Sequence, residues 1–107
     1  MRNLLIAALL TLAATGPSLA ACYEDLGCTD SDTFSRSDLR RLSCQALWEV
    51  RNEIYFANGY CFHSERALDF FGDDDCEYEE MGDVPLSRIE VRNIGRISDV
   101  EKQKQCS

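Results

Sequence analysis

Residues 47–62 read LWEVRNEIYFANGYCF, and this stretch decides the fold of the chain. Leu47, Val50 and Ile54 recur at the spacing of one helical face, which predicts an amphipathic helix. The pair Asn58-Gly59 follows, and such a pair commonly ends a helix in a left-handed turn. We therefore predict a central helix against which the rest of the chain packs.

Capping residues predict where the helices begin. Ser43 is suited to be the N-cap of the central helix, which then begins near Cys44. Ser64 is suited to cap a second, short helix that runs through Phe71 and stops at Gly72. A single helical turn at residues 37–42 is expected before the central helix.

The last helix is predicted from a capping box. Ser87 is followed three residues later by Glu90, which is the form of this motif. An apolar stripe then continues to about Lys104, and it consists of Ile94, Ile97 and Val100. Three helices with short connections lie roughly antiparallel to their neighbours. The fold class expected is mostly α, a small three-helix domain stapled by disulfides.

Residues 1–20 have the pattern of a cleavable signal peptide. Arg2 precedes an apolar run at residues 4–14, which is too short to span a bilayer as a stable helix. Ser18 and Ala20 then occupy the −3 and −1 positions of a cleavage site. No second apolar stretch follows, so no transmembrane segment is predicted.

The chain after the signal divides into two expected parts. Residues 21–37 form an N-terminal arm tethered by disulfides, and its start looks too short for a stable element. Residues 38–107 form the helical domain. Cleavage after Ala20 or Ala21 leaves close to 87 of the 107 residues, a size at which covalent links help to stabilise one small core.

Six cysteines follow the signal, namely Cys22, Cys28, Cys44, Cys61, Cys76 and Cys106. Their spacing contains no Cys-x-x-Cys pair of the zinc-site kind, so we expect three disulfides and an oxidising compartment, periplasmic or outside the cell. An antiparallel last helix brings Cys106 near Cys44. Cys61 and Cys76 flank the second helix, which leaves Cys22 with Cys28. Other pairings stay open.

Residues 19–22 read LAAC and also resemble the lipobox of bacterial lipoproteins. In that alternative Cys22 is lipidated and anchors the protein to a membrane. An even number of cysteines argues for the soluble form, because lipidation would leave one of the other five unpaired.

The charge of the chain limits its partners. The net charge is −8, and without Arg2 the remaining 10 basic and 19 acidic residues give −9. Such a chain is repelled by nucleic acid and by anionic lipid. We expect no nucleic-acid partner, and a cationic protein is the better candidate. Acidity is also an ordinary route to solubility, and we favour this simpler explanation of the charge.

Polar residues interrupt the apolar faces of two helices. Arg51, Asn52 and Glu53 do so on the central helix, and Glu90 and Asn93 on the last. These five either line a groove for a ligand or form an internal network that fixes the helix register. We favour the network, with Arg51 paired to Glu90 and Asn93 bonded to backbone or to Asn52.

No catalytic or metal-binding constellation is recognised. His63 is the only histidine, and its neighbour Ser64 is badly placed to be its nucleophile. The acidic residues from Asp73 to Glu79 lack the spacing of a dedicated calcium loop. We expect no enzyme activity, no metal and no cofactor.

A further pattern of polar and aromatic residues consists of Leu42-Ser43, Val50 to Tyr55, Gly59-Tyr60, Phe62, Phe70-Phe71, Leu86, Glu90, Asn93-Ile94 and Ile97. This pattern resembles the YARHG domain, a small exported bacterial module. It covers about Asp38 to Glu101 and is similar to a cysteine-rich variant found in exported alphaproteobacterial proteins.

The motif that gives this family its name is altered here. Where the family has Tyr-Ala-Arg-His-Gly, residues 55–59 read YFANG, so the arginine and the histidine are absent. The resemblance implies an exported domain and a fold more than an activity. We expect a periplasmic or secreted binding module of the cell envelope, whose partner is an exported protein or a cell-wall component. The alternative is an acidic inhibitor of a cationic exported enzyme, with residues 73–83 inserted into a basic cleft.

Overall fold

The computed structural model describes residues 20–107, which are mostly helical. Two short strands, four α-helices and one 3-10 turn occur in this part of the chain. Their bounds are β1 Cys22–Tyr23, β2 Gly27–Cys28, α1 Arg36–Arg40, α2 Cys44–Ala57, α3 Glu65–Phe71, the 3-10 turn Met81–Asp83, and α4 Arg88–Gln103. The predicted signal peptide, residues 1–20, lies outside the described residues except for Ala20.

Serine side chains begin the helices at the expected positions. The Ser43 hydroxyl accepts a hydrogen bond from the Ala46 amide at 3.1 Å at the start of α2. Ser64 is the N-cap of α3. Ser87 and Glu90 form a complete capping box at the start of α4. The three predicted helices are therefore α2, α3 and α4, and the predicted helical turn before the central helix is the short helix α1.

Helices α2 and α4 are antiparallel and are joined at both ends. Cys44 at the start of α2 is bonded to Cys106 just after α4. Asn58 at the end of α2 is hydrogen-bonded to Glu90 in the first turn of α4. The core lies between these helices and the N-terminal segment, and it consists of Leu26, Phe34, Leu39, Leu47, Val50, Ile54, Ile97 and Val100.

The start of the described chain contains a β-hairpin. β1 and β2 are antiparallel, and Cys22 lies opposite Cys28. The expectation that this stretch is too short for a stable element was wrong, because a disulfide between these two opposed residues closes the hairpin. Leu26 and Phe34 from the N-terminal segment are buried in the core, so residues 21–37 contribute to the packing of the helices.

Three disulfides connect the chain. The pairs are Cys22–Cys28, Cys44–Cys106 and Cys61–Cys76, which are those that the helix arrangement favours. No cysteine among residues 20–107 is free. The Cys22 sulfur, which the lipoprotein alternative would need for its thioether, is bonded to Cys28 in this structure.

Candidate functional site

An open groove of about 720 Å³ lies between the C-terminal end of α2 and the loop that follows α3. We call it the acidic groove. Its lining residues are Glu53, Phe56, Ala57, Asn58, Gly59, Tyr60, Gly72, Asp73, Asp74, Asp75, Cys76, Glu77, Tyr78 and Pro85. This volume is in the range of ligand-binding pockets in proteins.

The glycine stop of α2 is also an anchor for the groove. Gly59 has a φ of 91°, in the left-handed region. Its carbonyl oxygen accepts hydrogen bonds from the amides of Glu77 at 2.7 Å and Tyr78 at 2.9 Å. A Cβ at Gly59 would lie 3.3 Å from the Tyr78 ring. A side chain at this position would therefore strain the backbone and press on the groove wall.

The acidic loop is fixed at its base. The Cys61 amide donates to the Tyr78 carbonyl at 2.8 Å, and Tyr60 and Tyr78 form an isolated parallel β-bridge. The Cys61–Cys76 disulfide joins the same two segments. Residues 76–78 are thus held against the end of α2, and they position the preceding acidic residues of the loop.

Carboxylates dominate the charge of the groove. Glu53, Asp73, Asp74, Asp75 and Glu77 line it, and the lining set contains no lysine, arginine or histidine. Burial raises the pKa of the Glu53 carboxyl above its ordinary value, because a less hydrated site disfavours the charged form. A cation placed near Glu53 would compensate for this loss of hydration.

Aromatic rings form the apolar part of the lining. Tyr60 packs on Tyr55 and on Phe62, with ring centroids 5.8 Å and 5.0 Å away. Phe56 is 38% exposed, and Tyr78 contributes the third lining ring, on the loop side. Aromatic faces next to carboxylates attract lysine and arginine side chains.

The five residues of the predicted polar network do not form one network. Arg51 does not pair with Glu90. Its guanidinium donates to both carboxylate oxygens of Glu101, at 2.7 Å and 3.1 Å. Asn52 donates to the Trp48 carbonyl within its own helix at 2.9 Å.

Glu90 acts at the start of α4. One of its oxygens accepts from the Ser87 amide at 2.8 Å and the other accepts from the Asn58 side chain at 3.0 Å. The capping box turns this carboxylate back toward its own helix N-terminus, which is why it does not reach Arg51. The sequence did not predict Asn58 as its partner.

Asn93 is completely buried and connects α4 to the N-terminal segment. Its oxygen accepts from the Phe34 amide at 2.9 Å. Its amide donates to the carbonyls of Thr29 at 3.1 Å and Asp32 at 2.9 Å. Asn93 therefore bonds only backbone groups, which was one of the two expected alternatives; the other, a bond to Asn52, is absent from the hydrogen bonds among residues 20–107.

Of the five polar residues, Glu53 alone lines the groove. The Arg51–Glu101 ion pair joins α2 to α4, and the core residues Val50 and Ile97 belong to the same two helices. The acidic residues after α3 were recognised in the sequence, whereas Tyr60 and Tyr78 were not assigned to a site. The alternation of acidic and aromatic residues from Cys76 to Glu79 was the feature of the sequence that could have assigned Tyr78 to the site.

His63 and Ser64 make separate contacts in the structure. His63 Nε2 lies 2.8 Å from the Glu79 carbonyl oxygen, while the Ser64 hydroxyl accepts from the Ala67 amide at 3.1 Å. Among residues 20–107, no group of three or more His, Cys, Asp or Glu side chains is arranged to hold a metal ion.

None of the helices in residues 20–107 has the length and hydrophobicity of a membrane span.

Comparison with known proteins identifies the family. A sequence model described as the YARHG domain matches residues 23–102. This domain is found in extracellular proteins, and three disulfides fit an oxidising compartment. No curated protein and no solved structure matches the chain. The family match covers most of the chain and includes α2, the groove and most of α4, and the chain therefore belongs to the YARHG domain family.

Proposed function

We propose that this domain is an exported binding module of the cell envelope that holds a cationic segment of another exported protein in the acidic groove. The observation that carries the proposal is the composition of the groove, which combines five carboxylates with aromatic rings and has no basic lining residue. The proposal extends the expected interaction module by assigning it a surface and a class of ligand.

The charges of the chain favour a cationic ligand at long range and at short range. At long range, the net charge of −8 attracts a basic partner and increases the rate of encounter. At short range, lysine or arginine side chains pair with the carboxylates and lie over the rings of Tyr60 and Tyr78. Both contributions weaken as salt is added, since exposed charges are screened over about 10 Å at 0.1 M.

The rigidity of the groove also supports binding. The Cys61–Cys76 disulfide and the hydrogen bonds of Gly59 fix the loop in place. A loop that is already ordered loses little conformational entropy when a ligand binds. Residues 73–78 therefore offer a preformed surface to an extended basic peptide.

The test is a titration of the domain with a fluorescent peptide that contains several arginines. We expect saturable binding that weakens steeply between low and high salt. The variant D73N/E77Q should bind about fivefold more weakly, because two exposed ionic contacts contribute about 1 kcal/mol together. The matched control is E24Q/D25N, which removes two exposed carboxylates from the hairpin turn.

Two results would contradict the proposal. One is equal affinity of the groove variant and the control, which would assign the binding to net charge alone. The other is sedimentation of the domain with purified cell-wall material at high salt, which would favour a wall component as the partner.

An inhibitor of a cationic exported enzyme is the second candidate function. The observation that favours it is a charged and exposed loop fixed at its base by Cys61–Cys76, since a rigid loop is suited to insertion into a cleft. The experiment is to titrate the domain into a cationic exported hydrolase. Loss of activity that D73N/E77Q abolishes would support inhibition, and unchanged activity would exclude it for that enzyme.

A further inference from the structure

The outer face of α4 carries an exposed patch of opposite charge to the acidic groove. Val91 is 55% exposed, and it lies between Arg88 and Arg92. Within residues 20–107, neither arginine makes an ion pair or a side-chain hydrogen bond. Together with Leu86 they line a surface depression of about 450 Å³. We call these four residues the arginine patch.

Gly95 lies on the same face of α4, one turn after Val91 and Arg92. Glycine in a helix interior is less favourable than alanine. A Cβ at Gly95 would meet nothing within 4 Å, so packing within the described chain gives no reason for a glycine here. The close approach of a second polypeptide to the helix would give one.

The acidic groove and the arginine patch adjoin each other on the surface. Pro85 lines the groove and the next residue, Leu86, lines the patch. Two copies of the chain related by a twofold axis can place each groove against the patch of the other copy. Such an interface is self-complementary in charge and forms the same contact twice.

We propose that the arginine patch of one copy binds in the acidic groove of a second copy, and the reverse, to form a twofold-symmetric dimer. This inference rests on the proposed function, because it names the cationic ligand of the groove as the outer face of α4 in another copy. Both surfaces are small, which places the interface at the low end of the size range of protein–protein contacts.

The test is sedimentation equilibrium of the mature protein over a range of concentrations. We expect the wild type to approach twice the monomer mass. R88E/R92E should stay monomeric. The control R41E/K102E changes the net charge by the same amount on exposed positions outside both surfaces, and it should still dimerise.

A pair of charge-reversed variants tests whether the groove of one copy contacts the patch of the other. D73K/D74K/E77K gives the groove a positive charge and should be monomeric alone. When it is mixed with R88E/R92E, each groove meets a patch of opposite charge, and a heterodimer should form. A mixture that stays monomeric would overturn the proposal.

Gly95→Leu provides a second measurement that does not depend on charge. Leucine favours helix and meets open space in the described chain, so the thermal midpoint should rise. The added side chain prevents close approach of another copy, so dimerisation should be lost. A Gly95→Leu protein that dimerises as well as the wild type would overturn the proposed role of this face.

The failure of this inference can be distinguished from the failure of the proposed function. R88E/R92E keeps an intact groove, and its binding of the arginine-containing peptide tests the function alone. A wild type that is monomeric throughout, with peptide bound by this variant, overturns the dimer and leaves the binding function. If the wild type is monomeric and the variant binds no peptide, both the dimer and the binding function are overturned.

Discussion

Asn58 and Glu90 join the end of α2 to the start of α4, with the Asn58 Nδ2 3.0 Å from the Glu90 Oε2. The same Asn58 nitrogen donates to the Ile54 carbonyl at 2.8 Å. The bond lies beside the acidic groove, at the opposite end of the helix pair from the Cys44–Cys106 disulfide. One polar contact thus fixes the helix end on which the groove is built.

Replacement of Glu90 by alanine should destabilise the domain by about 2 kcal/mol. The change removes a capping box and leaves the partly buried Asn58 amide with the Ile54 carbonyl as its remaining acceptor. For a domain of this size the thermal midpoint should fall by about 10 °C. Glu80→Ala is the control, because Glu80 is exposed and makes no side-chain capping bond. Equal midpoints of the two variants would show that the Glu90 contacts are unimportant for stability.

Replacement of Asn93 by alanine should lower the free energy of unfolding much more than replacement of Asn52. Asn93→Ala removes three hydrogen bonds to backbone groups, two of them buried and one partly buried, and should cost about 3 kcal/mol. Asn52→Ala removes one bond to a carbonyl of its own helix, and alanine favours helix, so it should cost less than about 1 kcal/mol. Urea denaturation of both variants measures the difference. The reverse order would contradict the assigned role of Asn93.

Each disulfide should contribute to the stability of the fold according to the length of the loop that it closes. The sequence separations are 62 for Cys44–Cys106, 15 for Cys61–Cys76 and 6 for Cys22–Cys28. Loop-closure entropy predicts losses of about 4, 3 and 2 kcal/mol when each pair is replaced by alanines. Denaturation midpoints of the three double variants test this order. A larger loss at Cys22–Cys28 than at Cys44–Cys106 would contradict it.

The raised pKa of Glu53 predicts a pH-dependent penalty on stability. Burial raises the folded-state pKa above the unfolded value, so the folded protein binds the proton more tightly. Stability from this group is therefore greatest below the ordinary carboxyl pKa and decreases as the pH rises through the raised value. Glu53→Gln removes this dependence.

Thermal melting at two pH values tests the role of Glu53. Because the carboxyl is only about half buried and water screens it, we expect Glu53→Gln to melt about 2 °C higher than wild type at pH 7. The difference should disappear near pH 3. The exposed Glu24→Gln is the control. A Glu53→Gln protein that melts lower than wild type at pH 7 would show that the charged form is stabilised in the fold.

The helices could be predicted because their signals are local. Ser43, Ser64 and Ser87 cap the three main helices, and Gly59 follows the end of α2 with a positive φ. Capping and turn residues act within a few positions of the backbone that they shape. The same holds for Cys61 and Cys76, which flank α3 and are bonded in the structure.

The partners of distant polar residues could not be predicted. Arg51 pairs with Glu101, which is 50 positions away, because the capping box holds Glu90 at the start of α4. Phe34 is fully buried although no periodic pattern surrounds it, and its amide is held by Asn93. Such contacts follow from the relative placement of whole helices, which the local sequence does not specify.

The acidic groove depends on one such distant contact. Gly59 and Tyr78 are 19 positions apart, and their backbone groups are hydrogen-bonded. In the sequence, the acidic residues after α3 lacked the spacing of a recognised metal site. Only the attachment of this loop to the end of α2 brings Glu53 and Tyr60 next to its carboxylates.

The central claim is that the acidic groove is the binding surface of this domain. The most direct measurement is a two-dimensional nitrogen–proton NMR titration of the domain with the arginine-containing peptide. We predict chemical-shift changes at the amides of residues 53–60 and 73–78 that D73N/E77Q reduces. Changes confined to other surfaces, such as the exposed side of α3 around Phe70, or no changes at all, would contradict the account.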